Sequence, residues 1–145
     1  MKLFSFERRW LMTVFDATFS GGVATLPWKA SEMRTTQAFV TDVFRVGPPV
    51  TMVGMRAAIW IVYLFTPLLA FALPVPLGML SEERRSAALE KVSMSNIYAL
   101  RELPTLFKML GSMAYCSSAE VQRAVGMERP DFRTPNWVEE AERHG

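Results

Sequence analysis

The sequence predicts an all-α protein: a small irregular helical bundle of about five to six helices with a proline-interrupted apolar hairpin. Three observations predict it. Apolar residues recur at spacings of three, four and seven over several stretches. Residues that start and stop helices bracket those stretches. One long run, from Ala57 to Ser81, carries no charge but is broken by prolines. A chain of 145 residues suits one compact domain, read here as a helical unit over 1–126 followed by an extended tail over 127–145.

The first helix is expected from about Phe4 to Phe19. Phe4, Leu11, Phe15 and Phe19 form a stripe, with Trp10 and Val14 beside it. Gly21-Gly22 stops it, because glycine accepts the left-handed backbone of a C-cap. Leu26-Pro27-Trp28 reads as a turn, with Trp28 either filling a core edge or meeting a membrane interface. A second helix fits Ser31 to about Val46. Ser31 is suited to N-cap it, Glu32 sits at the positive end of its dipole, and Phe39, Val43 and Val46 line one side. Gly47-Pro48-Pro49 ends it, since proline lacks an amide hydrogen.

The uncharged run is the most informative segment. A straight helix over 57–81 would reach about 37 Å, beyond a hydrocarbon core of about 30 Å. Pro67 interrupts it and Pro74-x-Pro76 ends any helix near Leu73. Three readings compete: a short kinked or re-entrant membrane segment, a hydrophobic arm docked on a partner, and a buried core helix. On the membrane reading Trp60, Tyr63, Leu64, Phe65, Leu68, Leu69 and Phe71 meet lipid.

Polarity returns at Ser81-Glu82-Glu83, an N-cap with acidic first-turn residues, opening a helix to about Val92 with Leu89 and Val92 inward. Ser93-Met94-Ser95-Asn96 is a break. From Ile97 to Tyr115, the residues Ile97, Leu100, Leu103, Phe107, Leu110 and Ala114 mark an amphipathic helix that Pro104 kinks. Ser117-x-x-Glu120 has capping-box form for a last helix, Ser118 to Val125, stopped by Gly126.

Composition argues against chemistry within the chain. Single cysteine and histidine residues exclude an internal disulfide and the usual four-ligand zinc site of those residue types. His144, next to the C-terminal residue, is poorly placed for a hydrolytic triad. No glycine-rich phosphate loop occurs. With a net charge of +2 and no dense basic block, a nucleic-acid groove is not expected. Met1 to Trp10 lacks the uninterrupted apolar region of a signal peptide, so the expected location is the cytoplasmic side of a membrane, or membrane-associated, and not secreted. Half the residues are hydrophobic, and mean hydropathy is +0.15.

Four segments carry a resemblance: Phe6-Glu7-Arg8-Arg9 to Asp16 closed by Gly21-Gly22; Leu80-Ser81-Glu82-Glu83-Arg84-Arg85; Leu100-Arg101-Glu102-Leu103-Pro104 on to Leu110; and Met113-Ala114-Tyr115 on to Gly126. Spanning roughly Phe6 to Gly126, they resemble the small helical module that accompanies GMC-type flavin oxidoreductases. That module occurs as a gluconate dehydrogenase small-subunit-like chain or as the N-terminal region of long-chain alcohol oxidases. The chain departs from it at Ser118-Ala119, where Asp-Pro is common, at Met127, where Tyr is common, and in lacking a twin-arginine export signal.

The resemblance implies a non-catalytic accessory subunit. It would bind, stabilise or membrane-localise a larger FAD-dependent alcohol or sterol dehydrogenase, with FAD in the partner and no cofactor, metal or catalytic residue in this chain. The expected partner-binding residues are Leu103, Phe107, Leu110, Met113, Tyr115 and Val121, with Phe132 and Trp137 of the tail. The alternatives are a small membrane-associated scaffold of an unrelated complex and a helical lipid-binding protein.

Overall fold

The structure is a computed structural model, and the residues described are 2–19 and 29–124. They form an all-α bundle: α1 Ser5–Thr18, α2 Arg34–Val46, α3 Pro49–Phe71, α4 Glu82–Ser93, α5 Tyr98–Cys116 and α6 Ala119–Ala124, with a 3₁₀ turn at Leu77–Met79 between α3 and α4. The predicted Gly21-Gly22 stop, the turn at Trp28, Gly126 and the tail with Phe132, Trp137 and His144 lie outside the described residues.

Helix α1 is packed against α3, α4, α5 and the 3₁₀ turn. Its buried face is Glu7, Leu11, Met12, Val14, Phe15 and Ala17. The expected stripe is therefore shifted at its start. Phe4 is the exposed N-cap residue, and the inward position one turn into the helix belongs to Glu7. The core closes on Phe15, Phe44, Phe107, Leu11, Ile59 and Leu77. Each such side chain contributes about 1.5–3 kcal/mol relative to exposure.

Helix α2 starts three residues later than expected. Ser31 and Glu32 belong to a turn instead: the Glu32 amide donates to the Lys29 carbonyl, and the Gln37 side chain donates to the Ser31 carbonyl. Its inward face is Thr36, Val40 and Phe44. Phe39 and Val43 pack only partly, and Val46 is 77% exposed. A buried threonine hid this stripe from a reading based on apolar residues.

Helix α3 begins at Pro49, a full two turns before Ala57. Proline suits the first helical position, where its missing amide hydrogen leaves no bond unmade. The helix continues through Pro67, which is buried inside it, and closes at Ala72, whose φ of 55° is left-handed. The chain then returns through the prolines to the 3₁₀ turn, where Leu77 and Leu80 enter the core. The hairpin is thus a helix with a short returning arm.

Two cations secure these ends. Lys91 Nζ donates to the Ala70 carbonyl at 3.2 Å and lies 4.7 Å from the Phe71 ring centroid, at the negative end of the α3 dipole. Arg85 donates to the Leu77 and Gly78 carbonyls of the 3₁₀ turn.

Helix α4 matches its expected span to within a residue, with Ala88, Leu89 and Val92 inward. Ser81 holds the N-cap position through its backbone, but its hydroxyl makes no capping bond. Helix α5 carries Pro104 within it and buries Phe107, Leu110, Gly111 and Ala114. The Ser117 hydroxyl donates back to the Ala114 carbonyl at 2.6 Å. It is therefore not the expected N-cap of α6.

Candidate interaction surfaces

Three features merit attention: an ionic and aromatic cluster joining α1 to α3, the outer face of α3, and the outer face of α5.

In the first, Glu7 is completely buried, yet every contact favours its ionised form. Oε1 accepts from Trp60 Nε1 at 2.9 Å and from Arg56 Nε, and Oε2 accepts the backbone amide of Phe4 at 2.9 Å. Burial pushes the carboxyl upward. The bonds from Trp60, the Phe4 amide and Arg56, with the Arg56 charge, outweigh it and hold the group below its ordinary value of 4.5. Around this pair the rings interlock. Phe6 and Trp60 meet edge-on, Trp10 meets both edge-on, Tyr63 stacks on Trp10 at 4.4 Å, and the Arg56 guanidinium lies 4.4 Å from the Phe4 ring centroid. Oε1 thus accepts two bonds and Oε2 one, from two donors on α3 and one at the α1 N-cap. The cluster holds the start of α1 against the middle of α3.

The second feature is the apolar outer side of α3. Val50, Val53, Ala57, Ile61, Phe65 and Leu68 are exposed at spacings of three and four, flanked by Trp60 and Leu69. The helix has a mean hydropathy of 1.6 and only 33% of its most apolar window is buried. Of the seven residues expected to meet lipid, Trp60, Phe65, Leu68 and Leu69 lie on this outer side. Tyr63 and Phe71 turn inward, Tyr63 against Trp10 and Gly78 and Phe71 beneath Lys91, while Leu64 is half-buried. Val50, Val53 and Ile61 share this exposed side without being among the seven, the first two because the helix was expected to begin only at Ala57.

Among the residues expected to bind a partner, the structure corrects several. Phe107, Leu110 and Val121 are buried within the chain, and Leu103 and Tyr115 pack partly on the core. Their three- and four-residue spacing marks the inner side of α5, which the bundle itself uses. Met113 is 61% exposed, and Leu106 and Met109 share the outer side with it. Cys116, at the end of α5, is exposed.

Among the described residues no group of three potential metal ligands occurs. Compared with known protein families, with curated proteins and with solved structures, the chain gives no match. Function must therefore be argued from these surfaces.

Proposed function

We propose that the chain is a non-catalytic accessory subunit that attaches a larger flavoprotein of the GMC type to a membrane, with the outer side of α3 lying in the lipid interface. The observation that carries the membrane contact is the uncharged exposed stripe from Val50 to Leu68, about 27 Å long at 1.5 Å per residue. Its inner side is occupied by α1 and α4, and α4 exposes Glu82, Glu83, Arg84, Glu90 and Lys91. A spanning orientation would draw those charges into hydrocarbon, at several kcal/mol each. An α3 lying parallel to the surface leaves them in water and buries the stripe alone.

The flavoprotein partner rests on the resemblance of the Phe6–Gly126 region to the GMC-associated module. The outer side of α5, with Leu106, Met109 and Met113, is the surface offered to it. Methionines adapt to a partner's contours, which suits a protein-binding face.

The test has two arms. The purified chain is floated with phosphatidylcholine vesicles beside Phe65→Glu/Leu68→Glu. Binding by the wild type and its loss in the variant are expected, and a wild type that stays with the soluble fraction refutes the membrane contact. Affinity purification of the tagged full chain from its own cells is then expected to yield a stoichiometric yellow protein with a flavin absorption spectrum. Recovery of the chain without bound flavoprotein refutes the partner.

A further inference from the structure

A separate cavity of about 220 Å³ lies between the start of α1 and the end of α2. Leu3, Val40 and Phe44 form its apolar floor and are buried core residues. Lys2, Arg8 and Arg45 supply its charged groups. Asp42 pairs with Arg45 at 3.0 Å, so one of the three charges is partly offset. Glu7, although next to Arg8 in sequence, does not line the cavity and is committed to Arg56, Trp60 and Phe4. Arg8 also lines an adjoining cavity with Arg9, which extends the positive field along α1.

Beside Arg45, the last residue of α2, Val46, is 77% exposed, and Val50, in the first turn of α3 across the extended Gly47-Pro48 link, is 85% exposed. Phe4, next to Leu3, is also exposed. Exposed apolar residues thus follow directly in sequence on two residues that line a basic cavity with an apolar floor, Val46 on Arg45 and Phe4 on Leu3, with Val50 at the start of the next helix. That combination fits an amphiphilic anion whose charged head is held by the cations while its chains stay with the exposed apolar residues.

We infer that this cavity is a headgroup site for an anionic phospholipid of the bilayer, with Lys2, Arg8 and Arg45 on the phosphate and Val46 and Val50 among the acyl chains. The inference rests on the proposed membrane contact of α3 and adds lipid selectivity to it. Each cation near an anionic leaflet contributes about fivefold in affinity, so two unpaired cations and a third partly offset by Asp42 give between about 25-fold and a hundredfold at low salt.

The experiment measures binding of the full chain to phosphatidylcholine vesicles with and without phosphatidic acid. The wild type is compared with Lys2→Gln/Arg8→Gln/Arg45→Gln and with a charge-matched control, Arg34→Gln/Lys108→Gln/Arg123→Gln, whose residues are exposed elsewhere. Thr41→Glu, which adds a carboxylate to the exposed cavity rim without removing a cation, is the second probe.

Expected is a preference for anionic vesicles that the first variant and Thr41→Glu abolish and the control keeps. Equal loss in the variant and the control means a diffuse field and overturns the site. A wild type that binds both vesicle types equally also overturns it, while leaving the membrane contact standing. Failure to bind any vesicle sinks both. Calorimetric binding of inorganic phosphate that depends on the same three cations overturns the lipid as the source of the anion.

Discussion

Replacing Arg56 by methionine isolates what the buried ion pair contributes. The methionine keeps much of the aliphatic volume but leaves the Glu7 carboxylate, which has no exposed surface, with two of its three donors. Removing one partner of a buried pair costs about 3–5 kcal/mol. Because the Arg56 side chain is itself 24% exposed, water reaches the vacated position and the lower end applies. For a chain of this length about 3 kcal/mol lowers Tm by roughly 6–12 °C.

Thermal unfolding followed by circular dichroism at neutral pH reads this directly. The double variant Glu7→Leu/Arg56→Met, which removes both charges, is expected to recover most of the loss. The pH dependence has a definite sign. The folded carboxyl titrates below its ordinary 4.5, so its contribution is complete above that value and disappears as the pH falls through the folded pKa. Acid lability of the wild type should therefore exceed that of Glu7→Gln in the same range. An Arg56→Met protein that melts with the wild type, or a double variant less stable than the single one, refutes the account of the cluster.

Other substitutions probe the rest of the bundle. Ala72→Gly is expected to stabilise by about 0.5–1 kcal/mol, since glycine accepts the left-handed C-cap that alanine holds under strain; a lower Tm counts against it. Gly111→Ala, normally favourable inside a helix, is expected to destabilise by about 1–3 kcal/mol, because the added carbon meets the Phe15 and Phe19 rings; denaturant midpoints decide it. Lys91→Met should lose about 0.5–1 kcal/mol through the Ala70 carbonyl and the α3 dipole, with added salt narrowing the difference. Phe65→Glu/Leu68→Glu should weaken vesicle binding by at least about tenfold and leave Tm near that of the wild type, since both side chains are already exposed.

Several elements were legible because their determinants are local. Glu82–Ser93 announces itself through Ser81-Glu82-Glu83, and its inward residues Leu89 and Val92 are the ones the spacing selects. Tyr98–Cys116 differs by a single residue at each end from its expected span, because an amphipathic repeat of five turns survives even a proline. The hydrophobic character of α3 was equally plain.

What each apolar residue packs against was not. Spacing shows which residues share a side of a helix, but a greasy side serves the chain's own core and a partner equally well. Phe107, Leu110 and Val121 therefore looked like partner contacts and are core. Thr36 and Glu7 hold inward positions that an apolar pattern passes over.

Sequence by itself determined that this chain is helical, where most helices start and stop, and that its central segment is too apolar for ordinary solvent exposure. Those properties depend on residues a few positions apart. Tertiary structure decided that α3 leaves a continuous side uncovered, that Glu7 meets Arg56 and Trp60 some fifty residues away, and that Lys2, Arg8 and Arg45 surround one cavity. Each depends on how separate helices cross, and the free energy that selects the crossing comes from burial summed over the whole bundle.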